Sequence, residues 1–224
     1  MRCMSMELYH YLHCPYCIRI RLAWGYLGIK YKSIVLGYSD EATPMELTGK
    51  KMLPIARLND GRLMNESIDI IVATDTNNQL AVKNFVGTER QIQVEDLLNS
   101  FSKPLFGLAM PFYALSGEFS LQDRAYFIKK KSLSRGPFDA LLLKGDTFRD
   151  ELVPFLKKIE GKVKHFFDSD HLRMEDILLV SHLWGLYMVP EFRFSEALNN
   201  YMQRTKDICK FQPWNDYANF LSVE

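Results

Sequence analysis

The sequence predicts a small α/β domain followed by an all-helical domain. Strand-like and helix-like apolar runs alternate from residue 6 to about residue 76. Beyond that point the strand signals stop, and apolar residues recur at helical spacing. A chain of 224 residues is also long enough for two modest cores. We therefore expect an α/β domain over 1–76, a linker over 77–88 and a helical domain over 89–224.

The α/β domain is predicted to have the order β-α-β-α-β-β-α. Strand candidates, bounded by turn residues, lie at 7–12, 32–36, 55–58 and 62–65. Helices are predicted from Pro15 to Gly28, from a cap at Thr43-Pro44 to Gly49, and over 68–74 with Ser67 as the cap. An Asp60-Gly61 turn makes the last two strands a hairpin, and a crossover helix makes the first two parallel, so the sheet is mixed.

The helical domain is predicted from stripes of apolar residues spaced three and four apart. The stripes are Val94, Leu97, Leu98, Phe101, Leu105 and Leu108, with a bend at Pro104; Phe148, Leu152, Phe155 and Ile159; and Phe194, Leu198, Tyr201 and Met202. Ser120 with Asp123 resembles a capping box ahead of a further helix. Residues 176–189 are apolar nearly all round, which predicts a central helix enclosed by the others.

Composition excludes several classes of protein. Hydrophobic residues make up 47% and charged residues 25%, and the net charge is +1, so the chain is expected to be globular with no partner among nucleic acids or acidic membranes. The lysine run 129–131 fits a solvated helix face. The apolar run 177–190 is too short to span a bilayer, and the N-terminus lacks the apolar stretch of a secretory signal. With only four cysteines, we expect a cytoplasmic protein, and nothing in the sequence demands more than a monomer.

The motif Cys14-Pro15-Tyr16-Cys17 carries the chemistry. Pro15 suits the first helical position, so Cys14 is expected at the helix N-cap, where free N–H groups and the helix dipole stabilise a thiolate. Cys17 lies one turn further on, on the same side, and can close a disulfide with Cys14. Exposed charges of His13, Arg19 and Arg21 are expected to add little.

Other uses of a cysteine pair have further requirements. Cys3 and Cys209 form no second zinc knuckle, and His10 and His13 lack the usual ligand spacing, so no metal is expected. An iron–sulfur cluster would also need further ligands. Two buried structural cysteines remain an alternative, but the placement between a strand and a helix favours redox use.

Two later features belong with the same site. Leu53-Pro54 precedes a strand, where a cis peptide would turn the Leu53 backbone outward to pair with an extended, peptide-like ligand. Glu66-Ser67 starts a helix, where N–H groups and the Ser67 hydroxyl can hold a carboxylate. Alternatively, Pro54 only starts a strand and Ser67 only caps a helix. Their order after the cysteine pair favours a binding site.

These motifs resemble the glutaredoxins, and the whole chain looks like bacterial glutaredoxins of the glutaredoxin 2 type, which combine a thioredoxin-like domain with a helical domain in a glutathione-transferase-like architecture. The resemblance implies that Cys14 is the nucleophile and Cys17 the resolving thiol. It places Pro15, Tyr16, Leu53, cis-Pro54, Glu66 and Ser67 at the glutathione site, with Lys50 or Lys51 near the glycyl carboxylate. Glutathione would be the co-substrate, and proteins with disulfides or bound glutathione the substrates.

Two alternatives share this fold: a glutathione transferase, and a non-catalytic interaction module. Conjugation does not require a second cysteine, and an intact motif argues against a scaffold. The sequence also departs from the transferase-like pattern. Arg173 stands three residues before Asp176, where Ser or Thr is usual, which questions the stability of that helix start. Cys3 and Cys209 have no assigned role.

Overall fold

The computed structural model describes residues 6–213. Cys3, the start of the predicted α/β domain and the end of the predicted helical domain therefore lie outside the described residues. The sheet has the strands β1 (Met6–His10), β2 (Tyr31–Val35), β3 (Ile55–Arg57) and β4 (Leu63–Met64), in the order β2-β1-β3-β4. β1 runs parallel to β2 and antiparallel to β3, and β3 pairs antiparallel with β4. The predicted mixed sheet is confirmed.

Three helices complete the α/β part: α1 (Pro15–Tyr26), α2 (Ala42–Thr48) and α3 (Ser67–Thr74). The element order is therefore the predicted one, and Gly49 ends α2 in the left-handed region with a φ of 70°. The predicted cap of α2 was wrong, because the helix starts at Ala42 and the Thr43 N–H donates to the Asp40 carboxylate at 3.0 Å. An earlier aspartate thus provides the oxygen expected from the threonine.

The predicted cap of α3 was also wrong. Glu66 is the N-cap, Ser67 is the first helical residue, and neither side chain closes the helix end. The Ser67 hydroxyl instead accepts a hydrogen bond from the Arg19 guanidinium at 3.4 Å. The first N–H groups of α3 are therefore not occupied by its own cap residue.

The remainder of the described chain is helical. Its helices are α4 (Glu89–Tyr113), α5 (Leu121–Arg135), α6 (Phe138–Leu143), α7 (Gly145–Glu160), α8 (Met174–Leu183) and α9 (Glu196–Ile208), with 3₁₀ turns at Val82–Asn84 and Trp184–Met188. The predicted apolar stripes lie on α4, α7 and α9, except that Phe194 precedes the start of α9. α6 was not predicted, because six residues do not show a full apolar period. The predicted cap of α5 is confirmed, since the Asp123 N–H donates to the Ser120 hydroxyl at 3.1 Å.

α8 is the predicted central helix, and all its residues are buried. It ends at Leu183, earlier than predicted, and the chain continues as the 3₁₀ turn Trp184–Met188. Its start does not lack support, because Asp176 accepts hydrogen bonds from the N–H groups of Arg173 and Phe167 and from the Tyr201 hydroxyl, each at 2.8 Å. Burial nevertheless raises the pKa of Asp176 to about 6. The half of the capping box that Asp176 provides is therefore retained without a serine or threonine.

The segment predicted as a linker packs against the helical part. Leu80, Val82 and Phe85 are buried, and the Leu80 carbonyl accepts a hydrogen bond from the Met174 N–H at the start of α8. The domain boundaries themselves remain a prediction. No helix among residues 6–213 combines the length and apolar character needed to cross a bilayer.

α1 and α8 pack together and join the two parts of the molecule. Gly25 of α1 lies against the end of α9, since a Cβ there would overlap the backbone carbonyl oxygen of Cys209, the residue that follows α9. α1 is thus held between the sheet and the helical part, with its N-terminus at the edge where β1 ends.

Candidate active site

The sequence-predicted residues meet at one edge of the sheet. Cys14 follows the C-terminal end of β1, and Leu53-Pro54 leads into β3, whose first residue Ile55 lies opposite Tyr9 of β1. Glu66 follows β4, whose last residue pairs with β3. In an antiparallel pair, one strand begins at the edge of the sheet where its neighbour ends. This topology therefore gathers the three segments around the N-terminus of α1.

Cys14 is the N-cap of α1, as predicted, with Pro15 as the first helical residue. Its side chain is partly exposed, and its carbonyl accepts the first helical hydrogen bond, from the Ile18 N–H at 2.9 Å. The pKa of Cys14 is lowered to about 6, chiefly by a hydrogen bond from the Cys17 thiol, with smaller contributions from the charge of His13 and the N–H groups of Cys17 and Tyr16. A thiolate is therefore the main form at neutral pH.

Cys17 has the opposite character. It is fully buried, and its sulfur accepts a hydrogen bond from the Tyr11 N–H at 3.5 Å. Burial, followed by the hydrogen bond to Cys14, raises its pKa well above the ordinary value. In this arrangement, without a disulfide between them, Cys14 ionises readily while Cys17 keeps its proton.

The loop before Cys14 is held by a carboxylate from the helical part. Glu118, between α4 and α5, is buried and accepts hydrogen bonds from the N–H groups of Leu12 and His13, at 2.7 and 3.1 Å. Its second oxygen also lies 2.8 Å from Nδ1 of His13. Sequence reasoning missed Glu118, because no spacing signal links positions 105 residues apart.

Aromatic rings surround His13. Its imidazole lies 5.2 to 5.8 Å, centroid to centroid, from rings of both parts of the molecule: Tyr11, Tyr38, Tyr113, Phe119 and Phe127. This packing fixes the plane of the ring and excludes much of the solvent from the His13–Glu118 pair. A cavity of about 420 Å³ lies beside the pair, with Trp184 and Met188 in its wall.

The Leu53–Pro54 peptide bond is cis, as the resemblance implied. The Leu53 side chain is buried, whereas no hydrogen bond within residues 6–213 occupies its backbone N–H or C=O. A backbone donor and acceptor at a sheet edge can pair with an extended ligand. Glu66 is exposed at the start of α3, and Ser67 beside it is buried.

Arg19 and Arg21 are not the exposed charges that the sequence suggested. Both side chains are buried, with exposures of 6% and 5%. The Arg19 guanidinium lies 4.6 Å from the Tyr16 ring centroid and donates to Ser67, and so connects the cysteine motif with the start of α3. Arg21 donates to the Gln212 carbonyl at 3.1 Å, on the side facing the chain end.

Lys51 is held in place, whereas Lys50 is exposed. The Lys51 ammonium donates to the Tyr38 carbonyl at 2.9 Å and to Glu41 at 3.2 Å, and lies 3.8 Å from the Tyr126 ring centroid. As for metals, residues 6–213 contain no group of three or more His, Cys, Asp or Glu side chains placed to hold an ion.

Comparisons with known proteins agree with this geometry. The family model for the C-terminal domain of glutaredoxin 2 matches residues 93–218, and that for the N-terminal domain of glutathione S-transferases matches residues 13–77. Glutaredoxin 2 from Escherichia coli K12 is 32% identical over 200 residues, which cover 88% of this chain and 92% of the relative.

Solved structures show the same similarity. The crystal structure of glutaredoxin 2 from Salmonella typhimurium in complex with glutathione matches with a TM-score of 0.82 at 29% identity, covering 96% of this chain and 99% of that one. A glutathione transferase from Phanerochaete chrysosporium matches with a TM-score of 0.77 at 16% identity, over 93% and 98% of the two chains, and shares the fold.

Proposed function

The chain belongs to the glutaredoxin 2 family and is a glutathione-dependent thiol–disulfide oxidoreductase, and we propose that Cys14 is its nucleophile and Cys17 its resolving thiol. The observation that carries this assignment is the opposite pKa shift of the two thiols, lowered to about 6 for Cys14 and raised for Cys17. At neutral pH the partly exposed sulfur of Cys14 attacks, and buried Cys17 keeps its proton until the second step.

The proposed reaction proceeds by thiol–disulfide exchange. The Cys14 thiolate attacks one sulfur of the substrate disulfide, forms a mixed disulfide, and releases the other sulfur as a thiolate. Cys17 then loses its proton and attacks the Cys14 sulfur, which releases the reduced substrate and leaves a Cys14–Cys17 disulfide. Two glutathione molecules reduce this disulfide and leave as oxidised glutathione, so two electrons pass from glutathione to the substrate.

Glutathione is the co-substrate, and we assign its site to the residues around Cys14. The free backbone N–H and C=O of Leu53, before cis-Pro54, would pair with its cysteinyl part. Glu66 and Ser67 would hold the γ-glutamyl end, because the start of α3 presents N–H groups to a carboxylate. Pro15 and Tyr16 would border the reacting sulfur.

One lysine is a better candidate than the other for the glycyl carboxylate. Lys51 already has the Tyr38 carbonyl and Glu41 as partners, which fix its ammonium group. Exposed Lys50 would have to be ordered on binding, which costs side-chain entropy. We therefore assign the contact to Lys51. Protein disulfides and glutathionylated proteins are the proposed substrates. We also propose that the protein acts as a monomer in the cytoplasm.

The test is glutathione-dependent reduction of a small mixed disulfide, coupled to glutathione reductase. Wild-type activity should disappear in Cys14→Ser, whereas Cys17→Ser should keep deglutathionylation and lose reduction of protein disulfides. Turnover by Cys14→Ser would contradict the assignment. Conjugation of glutathione to an electrophile, without disulfide reduction, would instead favour a transferase.

A second variant tests the glutathione site. Ser67→Ala should raise the KM for glutathione about ten-fold or more, since a hydrogen bond to a charged group contributes about 1.5–3 kcal/mol. The pH at which Cys14 ionises should not change, because Ser67 does not contact the thiol. An unchanged KM would remove Ser67 from the site.

A further inference from the structure

Glu118 belongs to the helical part of the chain, yet all three of its described hydrogen bonds reach the loop that carries the nucleophile. The donors are the Leu12 N–H, the His13 N–H and Nδ1 of His13, at 2.7, 3.1 and 2.8 Å. The His13 and Glu118 side chains are 8% and 5% exposed. A buried carboxylate that accepts three hydrogen bonds defines the geometry of the groups that donate them.

We propose that Glu118 is a positioning residue for the thiol–disulfide reaction: it fixes the backbone before Cys14 and holds His13 with its proton on Nδ1. This inference rests on the proposed role of Cys14 as the nucleophile and adds a contribution from the helical domain to it. An ionised carboxylate only accepts hydrogen bonds, so Nδ1 must be the donor. A neutral His13 then has its lone pair on Nε2, and a charged His13 carries a proton on both nitrogens.

The charge of His13 is what reaches the sulfur. It stabilises the Cys14 thiolate, whereas the charge of Glu118 acts on Cys17, whose thiolate it disfavours. Glu118 thus holds the positive neighbour of Cys14, and its charge adds a small contribution to the raised pKa of Cys17, which is due mainly to burial. Without the carboxylate, a charge on His13 would be buried without a counter-ion, which is costly.

Other titratable groups lie around His13. Tyr11 and Tyr38 face it from the α/β part, Tyr113 from α4, and Lys131 on α5 lies 6.0 Å from the Tyr38 ring. Burial is the main cause of the raised pKa of the three tyrosines, so they are neutral at neutral pH. The charge of Lys131 also interacts with Cys14, and the charge of Asp40 interacts with Tyr11.

The test is the ionisation of Cys14 in Glu118→Gln, followed by ultraviolet absorbance of the thiolate and by the pH dependence of alkylation. We expect the midpoint to rise by about one unit from its value near 6, so that the thiolate fraction at pH 6 falls about five-fold. An unchanged midpoint would overturn the proposal. Neither readout needs glutathione or a substrate, so a failure of the proposed catalytic function would be seen separately, in the coupled assay.

Asp123→Asn is the matched control. Asp123 is a buried carboxylate of the same segment and accepts hydrogen bonds from the Ser39 N–H and hydroxyl, both at 2.7 Å, so it also joins the two parts of the molecule. It does not contact the cysteine loop. Its variant should keep the wild-type midpoint, and an equal shift in both variants would assign the effect to general loosening and overturn the proposal.

A double variant separates an action through His13 from other effects. In a His13→Asn background, Glu118→Gln should shift the midpoint no further, whereas a full additional shift would contradict the proposal. If Glu118→Gln does not fold, the wild-type protein still decides the question. Nitrogen NMR shifts of neutral His13 should show the proton on Nδ1, and a proton on Nε2 would overturn the assignment.

Discussion

The hydrogen bond between the two active-site thiols is the largest contribution to the low pKa of Cys14, which makes Cys17→Ala a quantitative test. The variant removes the donor but keeps the helix N-cap, the His13 charge and the backbone N–H groups. An ordinary cysteine thiol ionises near pH 8.5. We expect the midpoint of Cys14 to move from about 6 to about 7–7.5, between the wild-type value and that of an ordinary cysteine.

The assay is thiolate absorbance against pH in a Cys3→Ser background, since Cys3 lies outside the described residues and Cys209 is buried with a raised pKa. At pH 6 the thiolate fraction should fall from about one half to roughly 3–10%. Alkylation rates alone would understate the change, because a thiolate of higher pKa is a better nucleophile. A Cys14 midpoint within about 0.3 units of the wild-type value would refute the hydrogen-bond explanation.

Two further predictions concern stability. Gly25→Ala should destabilise the protein by about 2 kcal/mol or more, because the new Cβ overlaps backbone that cannot move easily. Gly145 has open space around it, so the control variant Gly145→Ala should change the unfolding temperature little. Thermal unfolding of the two variants measures the difference. His10 and His182 are buried, and burial lowers the pKa of each to about 3. Their contribution to stability is complete above pH 6.5 and is lost as the pH falls, at up to about 1.4 kcal/mol per pH unit for each histidine. Asp176, whose raised pKa gives the folded state an extra proton below about pH 6, offsets part of that loss. Urea unfolding should therefore give a lower free energy at pH 5 than at pH 6.5, and an equal or higher value would contradict the assignment.

Local features of the site were predictable from the sequence. The N-cap position of Cys14 follows from Pro15 beside it, and the hairpin follows from Asp60-Gly61, because both depend on residues a few positions apart. The Ser120 cap of α5 is of the same kind. The sequence-based resemblance added the cis bond before Pro54, for which a local pattern gives only a preference.

Features that depend on distant parts of the chain were not predictable in this way. Arg19 and Arg21 looked like surface charges, because their neighbours Ser67 and Gln212 are 48 and 191 residues away. Nothing in the sequence singled out Glu118. Its three donors become apparent only when the helical part is placed against the cysteine loop. Burial, rather than spacing, decides what these charged residues do.

The contacts between the α/β part and the helical part also limit where the chain can be divided. A cut within residues 77–88 would remove the carboxylate on which two backbone N–H groups before Cys14 depend, and would expose the face of α1 that covers α8. In such a fragment, these backbone N–H groups would lose their acceptor, and the apolar face of α1 would be exposed to solvent. The α/β part and the helical part must therefore stay together when the gene is duplicated, fused or shortened. A shorter glutaredoxin would have to rebuild this loop and the surface of α1.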